Sequence, residues 1–238
     1  MQRKIEMLEW DSGFFGLKVG KLKSNGSLPE AEFDDFDLVY VFSDIPLTRQ
    51  TFPNLYVLPV DRKVTYSMQI AANPGLPEGV GSYVAGDHDP EVVRLGIQSG
   101  MYSRFKRDPN FADGQFEQLF SVWMRRSIDR EIADEVFVCI SGGLPRGVIT
   151  LRDAPGFASI GIVAVDESVR GQGIGRKLVQ AARHYAHQHH FPALEVITQE
   201  ENEQACRFYE KEGFSLKKKE YIYHFWNKGA DRDRAKHS

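Results

Sequence analysis

The chain has 238 residues, of which 42% are hydrophobic and 26% are charged, and its formal net charge is -3. This length and composition are typical of a globular protein that buries a sizeable core without disulfides. The weak negative charge provides no overall basic field, so nucleic acid is not expected as a partner. No segment approaches the ~20 apolar residues of a membrane span, and a cytoplasmic location is therefore expected.

Side chains that commonly bind metal ions form no recognisable site in the sequence. The two cysteines, Cys139 and Cys206, have no spacing typical of zinc or of a disulfide framework, and the apolar run around Cys139 predicts burial. A histidine cluster comprises His184, His187, His189 and His190. Because no Cys or acidic ligand joins it at a metal-binding spacing, we expect no metal and interpret it as a polar helix end.

Up to about Tyr66, the sequence consists of short apolar runs separated by turn-forming residues. The runs are Ile5–Trp10, Phe14–Val19, Leu38–Phe42 and Leu55–Val60. They predict short strands and one helix, and hence a small α/β domain over residues 1–70. The Pro- and Gly-rich segment Ala71–Gly81 predicts a linker or surface loop. The main domain is then expected over 82–228, followed by a frayed tail, 229–238.

The main domain alternates between helical and strand-like periodicity. Helices are predicted after Asp89-Pro90 and over Phe116–Ile128, Gly171–His187 and Glu203–Lys211. Strands are predicted over Glu135–Ser141, Leu144–Arg152, Ser159–Asp166, Ala193–Thr198 and Tyr221–Trp226. The residues Ser141-Gly142-Gly143 predict a hairpin between the first two strands. The order is α+β, and one βαβ crossover contains a cluster of glycines.

The glycine cluster connects a buried strand to an amphipathic helix. Its sequence, from Arg170 to Lys177, is RGQGIGRK. Backbone N–H groups in a first helical turn have no intrahelical partners, and together with the helix dipole they attract an anion. Glycines allow a phosphate to approach this backbone closely, while the basic side chains add positive charge. The turn therefore predicts a phosphate-binding site, and the alternative is a helix start whose glycines merely permit a tight turn.

The spacing of the glycines distinguishes between phosphate-binding motifs. A G-x-G-x-x-G dinucleotide fingerprint fails because Arg176 or Leu178 occupies the third glycine position, and a P-loop motif is absent. The motif R-x-x-G-x-G is present at Arg170, Gly173 and Gly175. In this respect the sequence resembles the GNAT superfamily of N-acetyltransferases, in which this turn holds the pyrophosphate of coenzyme A.

A second stretch, from Asn202 to Phe214, resembles another GNAT signature, N-x-x-A-x-x-F-Y-x-x-x-G-F. Asn202 is a suitable N-cap, and its amide can also contact a ligand. The resemblance implies that Tyr209 is the general acid that protonates the departing thiolate of coenzyme A. The alternative is a half-buried aromatic residue with a hydrated hydroxyl.

The two signatures together imply a fold and a cofactor. The fold expected is α/β, with a mixed, mostly antiparallel central sheet flanked by helices and a small N-terminal α/β unit. Acetyl-CoA is the expected co-substrate. The resemblance implies that the strand before the turn holds the pantetheine arm through its backbone, where it splays from Ala193–Thr198. The implied cofactor-binding residues are Val163, Val165, Arg170, Gly171, Gln172, Gly173, Ile174, Gly175, Arg176 and Asn202.

The group that removes a proton from the acceptor amine has no strong candidate in the sequence. Many GNAT proteins use a carboxylate on the strand before the turn, but Ser159–Val163 contains none. We therefore predict a water relay, or an amine that is partly neutral without assistance. Asp153 and Glu195 are weaker candidates, with solvated or structural roles as the alternatives.

Three short stretches resemble the dTDP-fucosamine acetyltransferases, GNAT proteins that acetylate the 4-amino group of a nucleotide-linked deoxysugar. They are Leu8–Gly16, Ser103-Arg104-Phe105-Lys106 with the aromatic residues after it, and Tyr221–Trp226. The resemblance implies a dTDP-linked amino sugar as the acceptor, and Arg104, Lys106 and Arg107 are the residues expected at its diphosphate. The aromatic side chains expected at the base or sugar are Trp10, Phe14, Phe15 and Phe105.

The acceptor assignment has alternatives. The aromatic residues near the N-terminus also suit a hydrophobic core, and the basic residues also suit a solvated surface. The acceptor can instead be a polyamine, an antibiotic or a protein N-terminus, or the chain can be a coenzyme A sensor without catalysis. A homodimer is compatible with the sequence.

Overall fold

The chain forms two compact units, Met1–Lys63 with Lys219–Ser238, and Val64–Lys218. The computed structural model describes residues 4–26, 28, 33–47 and 52–229. These units differ from the predicted domains 1–70 and 82–228, because residues 221–226 pair with residues 38–43 of the N-terminal part. The tail predicted to fray lies outside the described residues from position 230 onwards.

The smaller unit is a short mixed sheet with one helix. Its elements are β1 (Glu6–Met7), α1 (Glu9–Phe15), β2 (Val19–Ser24), β3 (Leu38–Ser43), the first part of β4 (Leu55–Gln69) and the second part of β10 (Ser215–Asn227). The strand order is β1-β2-β3-β10, in which only the β2–β3 pair is parallel among the described strands. The predicted run Phe14–Val19 is not a strand, because Gly16 adopts a left-handed conformation (φ +65°) that ends α1.

The larger unit contains the remaining elements. Its helices are α2 (Asp89–Ser99), α3 (Arg104–Arg107), α4 (Gln115–Ile128), α5 (Ile174–Gln188) and α6 (Glu203–Lys211). Its further strands are β5 (Val80–Ser82), β6 (Glu135–Ser141), β7 (Leu144–Ala154), β8 (Phe157–Val165) and β9 (Ala193–Gln199). The predicted helices and strands of the main domain are therefore confirmed, with shifts of a few residues at their ends.

The sheet of the larger unit has the order β4-β9-β8-β7-β6-β5. Strands β5 to β8 pair antiparallel, and β8 pairs parallel with β9 across the crossover that contains α5. Gly142 and Gly143, with φ of +61° and +77°, form the predicted tight hairpin between β6 and β7. The mixed, mostly antiparallel sheet with flanking helices is the fold class predicted from the sequence.

Alternate residues of β6 pack on opposite faces of the sheet. Val136 and Val138 belong to the core beneath α2 and α4, whereas Phe137 and Cys139 belong to the core beneath α5. This period of two buries both faces of the strand. Burial raises the pKa of the Cys139 thiol, in agreement with the predicted packing role.

Among the described residues, no helix is long and apolar enough to cross a membrane.

Helix α5 begins three residues later than predicted. Gly171 and Gly173 have φ of +81° and +83°, and Gly173 is the N-cap before Ile174. A left-handed residue cannot continue a right-handed helix, so the glycines form a turn in front of α5 instead of its first turn.

Candidate active site

Strands β8 and β9 pair over only part of their length. Their parallel register joins Ala158, Ser159 and Ile160 of β8 to Leu194, Glu195 and Val196 of β9. Strand β8 continues to Val165 and β9 to Gln199, but no further residues of these two fully described strands pair with each other. The structure describes every residue from 157 to 199. The sheet is therefore open between the carboxyl ends of two neighbouring strands, as the predicted splay requires.

The peptide groups that face this opening belong to Val163 and Val165. The Asp166 amide donates to the carbonyl of Arg146, the residue before Gly147 on β7, at 2.8 Å. In an antiparallel pair, alternate residues direct their peptide groups to alternate sides. The peptide groups of Val163 and Val165 therefore point away from β7, towards the side from which β9 has departed. Their half-buried side chains pack against the α5 core.

A β-bulge in β8 lies beside the opening. Ile149 pairs with Val163 and Leu151 with Ile160, so Thr150 alone faces the two residues Gly161 and Ile162. The buried Thr150 hydroxyl accepts a hydrogen bond from the Ile162 amide at 2.8 Å. A Cβ at Gly161 would lie 2.8 Å from Thr150 Oγ1, so a side chain there would collide with the hydroxyl that holds the bulge.

The glycine turn presents backbone amides to solvent at the end of β8. Residues 170 to 173 are exposed, and no side chain caps the N-terminus of α5. Lys177 is the first residue of the helix whose amide bonds back to a carbonyl, that of Gly173. Within the described chain, the amides from Gly171 to Arg176 have no hydrogen-bond partner. The structure thus places the predicted anion-binding amides together.

The basic side chains around this turn differ in their contacts. Arg176 pairs with Glu212 at 3.1 Å, and Lys177 donates to the carbonyl of Glu78 at 3.0 Å. Arg170 is exposed, with its Nε 3.4 Å from the Val165 carbonyl, and forms no ion pair within the described residues. Arg170 is therefore the cation that is least committed to a protein partner.

The two sequence signatures meet where α5 and α6 pack together. A Cβ at Gly175 would lie 3.3 Å from the Phe208 ring, so glycine permits a close approach of α6. Asn202 caps α6 as predicted, since its side-chain oxygen accepts from the Ala205 amide at 3.1 Å. The amide nitrogen of this side chain has no hydrogen-bond partner in the described structure and can serve a ligand.

Tyr209, the predicted general acid, is a buried residue of α6. It is 6% exposed and packs against the rings of Tyr66, Phe208 and Phe214. Its hydroxyl has no hydrogen-bond partner among the described residues. Burial raises the pKa of this phenol, so it holds its proton at neutral and mildly alkaline pH. A protonated, uncommitted hydroxyl is what a proton donor requires.

Tyr66 of β4 was not identified from the sequence. Its hydroxyl donates to Glu210 Oε1 at 2.9 Å and therefore fixes α6 next to Tyr209. Burial and the bond to Glu210 raise the pKa of Tyr66. The two partners are 144 positions apart, and no local pattern in the sequence connects them.

Glu195, a weaker candidate for the base, lies on the opposite face of the sheet from α5 and is 8% exposed. Its Oε1 forms an ion pair with Lys217 and lies 3.4 Å from Ser67 Oγ. Oε2 has no partner within the part of the chain that the structure describes. Glu195 pairs in register with Ser159, two residues before Gly161 in the bulge. Glu195 is therefore neither solvated nor fully committed to structural contacts.

Asp153, the other weak candidate, has a structural contact. It accepts a hydrogen bond from the buried Tyr185 hydroxyl at 2.8 Å, and burial together with this bond raises the pKa of Tyr185. The contact ties α5 to β7, at the far end of that strand from Gly147, which pairs with Val165.

The histidine cluster has local contacts. His184 Nδ1 lies 2.9 Å from the side-chain oxygen of Asn73, and the ring of His189 stacks on Tyr185. Within the described residues, no three His, Cys, Asp or Glu side chains form a group that could hold a metal ion.

The segment from the end of α2 to α3 contacts the end of β8 and the loop after β9. Gln98, near the end of α2, donates to the Val165 carbonyl at 3.1 Å, and Arg107 of α3 forms an ion pair with Glu201, the residue before Asn202. Between these contacts lie Arg104, partly exposed, and Phe105, 4% exposed. The Phe105 ring packs against Phe111 and Trp123, so it contributes to a local aromatic core.

The remaining predicted substrate residues belong to the smaller unit. Trp10 and Phe14 stack with ring centroids 5.3 Å apart, and Phe15 packs edge-on against Phe14. Trp10 is 37% exposed and Phe15 only 7%. Phe15 and Phe105 thus have packing roles in their own units, and their contact with a ligand stays a prediction.

Comparison with known proteins identifies relatives of this site. Residues 101–214 match the model of the Acetyltransferase (GNAT) family. The chain is 33% identical over 117 residues to the peptidyl-lysine N-acetyltransferase YjaB of Salmonella typhimurium, a match that covers 42% of this chain and 77% of that protein.

Solved structures share the fold at low sequence identity. A GNAT-family protein of Novosphingobium aromaticivorans has a TM-score of 0.55 and 16% identity, covering 80% of this chain and 74% of its own. A conserved protein of unknown function from Staphylococcus epidermidis has a TM-score of 0.62 and 12% identity, covering 95% of this chain and 92% of its own. The family match, residues 101–214, includes both the glycine turn and Tyr209, and the match to the Salmonella relative covers 77% of that protein, so this chain belongs to the GNAT family of acetyltransferases.

Proposed function

We propose that the protein transfers an acetyl group from acetyl-CoA to a primary amine, with the opening between β8 and β9 as the cofactor site. The observation that carries the proposal is that this opening leads directly to the unpartnered amides of the glycine turn. A pantetheine arm can extend the sheet there as a strand-like ligand, while the pyrophosphate lies on the N-terminus of α5.

The cofactor contacts follow from the backbone and side-chain groups that face the opening. The peptide group of Val163 and the amide of Val165 bind the polar groups of the pantetheine arm, since the Val165 carbonyl already accepts from Gln98. The amides from Gly171 to Arg176, which include Gln172, Ile174 and Gly175, bind the pyrophosphate with the Arg170 side chain. The uncommitted amide nitrogen of Asn202 donates to the arm from the β9 side of the opening.

The reaction is a direct transfer. The neutral amine nitrogen attacks the thioester carbonyl carbon, and backbone amides near the bulge stabilise the oxyanion. As the C–S bond breaks, Tyr209 donates its proton to the departing thiolate. The amine loses one proton, which passes through water to the open Oε2 of Glu195, and a proton from solvent restores Tyr209. This proposal combines the water relay expected from the sequence with Glu195, one of the two weaker candidates, as the final proton acceptor.

Two acceptor classes have specific support. The short stretches around Trp10 and Arg104 resemble enzymes that acetylate a dTDP-linked 4-amino-deoxysugar, and Arg104 is a suitable partner for its diphosphate. The Salmonella relative is a peptidyl-lysine acetyltransferase, which supports a lysine side chain as the second candidate. We place the nucleotide sugar first, because its resemblance includes residues outside the shared catalytic domain.

A competition experiment tests both the reaction and the acceptor. The protein is incubated with acetyl-CoA and an equimolar mixture of dTDP-4-amino-4,6-dideoxygalactose, a lysine-containing peptide and spermidine, and the products are analysed by mass spectrometry. We expect one added acetyl group on the nucleotide sugar. Acetylation of only the peptide or the polyamine contradicts the sugar assignment. Binding of acetyl-CoA without any acetylated product supports the sensor alternative.

A further inference from the structure

A carboxylate outside the proposed contacts lies at the base of the glycine turn. Asp166 follows β8 directly and is 5% exposed. It forms ion pairs with Arg94 of α2 and with Arg146 of β7, the second at 3.3 Å. Its Oδ1 also accepts hydrogen bonds from the amide and hydroxyl of Ser168. One buried carboxylate therefore joins a helix, a strand and the turn.

The backbone of Asp166 reinforces the same junction. Its amide donates to the Arg146 carbonyl at 2.8 Å, and its carbonyl accepts from the Val169 amide at 3.1 Å. These bonds fold Glu167–Val169 into a single 3-10 turn that ends just before Arg170. The direction in which the chain enters the glycine turn is thus fixed at Asp166.

The glycine turn has few contacts of its own. No heavy atom lies within 4 Å of a Cβ built at Gly171 or Gly173, so neighbouring side chains do not hold this backbone in place. The turn is held at its two ends, by Asp166 before it and by the buried Ile174 after it. Loss of either attachment gives the exposed amides more conformational freedom.

The charges around Asp166 are also compatible with an anion nearby. Hydrogen bonds from Ser168 and the Arg94 guanidinium lower the pKa of Asp166 well below its usual range, so the group is ionised at neutral pH. Because this single negative charge faces two arginines, the cluster has a net positive charge. Arg94 also keeps half of its side chain exposed. The Asp166 carboxylate itself therefore adds no net negative charge at the base of the turn.

We propose that Asp166 is a positioning residue that holds the glycine turn in the shape that receives the pyrophosphate, and that it anchors this turn to α2 through Arg94. The inference rests on the proposed cofactor site and adds a residue that does not itself contact the ligand. A second link between the same elements is the bond from Gln98 to the Val165 carbonyl. The alternative is that Asp166 contributes only to the overall stability of the unit.

Two ligands separate these roles: coenzyme A, and pantetheine, which has the same arm without the pyrophosphate and nucleotide. Their affinities are measured by calorimetry, or by NMR titration for weak binding, with wild type, Asp166→Asn and Glu167→Gln. Glu167 is the matched control, because it is an exposed carboxylate in the same turn and forms no ion pair within the described residues. Asp166→Asn removes the charge and retains an oxygen that can accept from Ser168.

We expect wild type to bind coenzyme A more tightly than pantetheine. Asp166→Asn should lose about tenfold in affinity for coenzyme A, equivalent to ~1.4 kcal/mol, with little change for pantetheine, while Glu167→Gln resembles wild type. An unchanged affinity for coenzyme A, or an equal loss for both ligands, overturns the positioning role. If wild type does not prefer coenzyme A, the cofactor site itself is wrong, and the inference fails with it.

A second variant keeps the test decisive if Asp166→Asn does not fold. Arg94→Gln removes one of the two guanidinium partners of the Asp166 carboxylate and leaves Arg146 in place. The Arg94 side chain is half exposed. We expect a loss of about threefold in coenzyme A affinity at an unchanged pantetheine affinity, a smaller effect than that of Asp166→Asn because one ion pair remains. Wild-type affinity in a folded Arg94→Gln variant contradicts the link to α2.

Discussion

The two halves of the candidate site in the larger unit differ in the chemical groups that form them. The proposed cofactor half consists mainly of backbone: the peptide groups of Val163 and Val165 and the amides of the glycine turn. The proposed acceptor half consists of side chains from separate strands, with Glu195 of β9 between Ser67 of β4 and Lys217 of β10. Tyr209 and the β8 bulge opposite Thr150 belong to neither half. Both are proposed to act at the thioester, where Tyr209 protonates the departing thiolate and amides near the bulge stabilise the oxyanion.

This difference determines how each half can change. A backbone site tolerates most substitutions and depends on the few positions where only glycine adopts the required conformation. A side-chain site changes its specificity with every residue that lines it. The cofactor half is therefore suited to one ligand, and the acceptor half can take different amines on the same framework.

The largest expected effect belongs to Tyr209→Phe, which removes the proposed proton donor and leaves the cofactor half intact. We expect kcat to fall by about 10³-fold, within the range of general acid catalysis, with an unchanged affinity for acetyl-CoA. Steady-state kinetics and calorimetry measure the two quantities. Because burial raises the pKa of Tyr209, wild-type kcat should show no decline from this group as the pH rises from 8 to 10.

Tyr66→Phe is the matched control for the loss of a phenol. It removes the bond to Glu210 next to the same ring cluster, so we expect a much smaller loss of kcat. If Tyr209→Phe retained wild-type kcat, or lost cofactor affinity in proportion, Tyr209 would not be the acid.

Glu195→Gln tests the acceptor half. We expect kcat/KM for the acceptor to fall by about 10²-fold, because the proton relay loses its terminal carboxylate, while acetyl-CoA affinity stays the same. Asp153→Asn provides the control, since this carboxylate binds the Tyr185 hydroxyl and should affect stability more than rate. Equal rates for wild type and Glu195→Gln would favour an amine that reacts without a protein base.

Gly173→Ala tests the cofactor half without touching the chemistry. Gly173 has φ of +83°, where an alanine costs ~1–2 kcal/mol, and a shifted turn should reduce acetyl-CoA affinity by about tenfold at an unchanged kcat. Gly156→Ala in the β7–β8 turn is the matched control, because Gly156 has the same φ as Gly173 and equally open surroundings. Both variants should lose similar stability, and only Gly173→Ala should lose affinity. Equal affinities in the two variants would argue against an anion site at this turn.

The cofactor half could be predicted from the sequence because its determinants are local. The glycines, the Asn202 cap and Tyr209 lie within two short stretches, and their spacing alone indicates a turn before a helix and a capped helix. The start of α5 was misplaced because sequence patterns do not show which glycines adopt positive φ. Packing between Gly175 and Phe208 then brings the two stretches together.

The acceptor half could not be predicted in the same way. Ser67 and Glu195 are 128 positions apart and meet only because β4 and β9 are neighbours in the sheet. The bulge depends on the contact between Thr150 and Ile162, which follows from strand register and not from composition. The sequence also does not show that the Phe105 ring is buried against other rings, and the contact of Phe105 with a ligand stays a prediction.

The smallest expected effect tests whether the two halves are coupled through the bulge. Thr150→Val keeps the buried volume but leaves the Ile162 amide without its acceptor, which should cost ~1–3 kcal/mol of stability. If the bulge fixes the positions of the amides that stabilise the oxyanion and the direction of the Val163 peptide group, kcat and acetyl-CoA affinity should each fall by about threefold in Thr150→Val. Thr150→Ser, which keeps the hydroxyl, should retain the wild-type values. A loss of stability with both functional quantities unchanged would mean that β8 keeps its course without this bond, and that the cofactor and acceptor halves can vary independently.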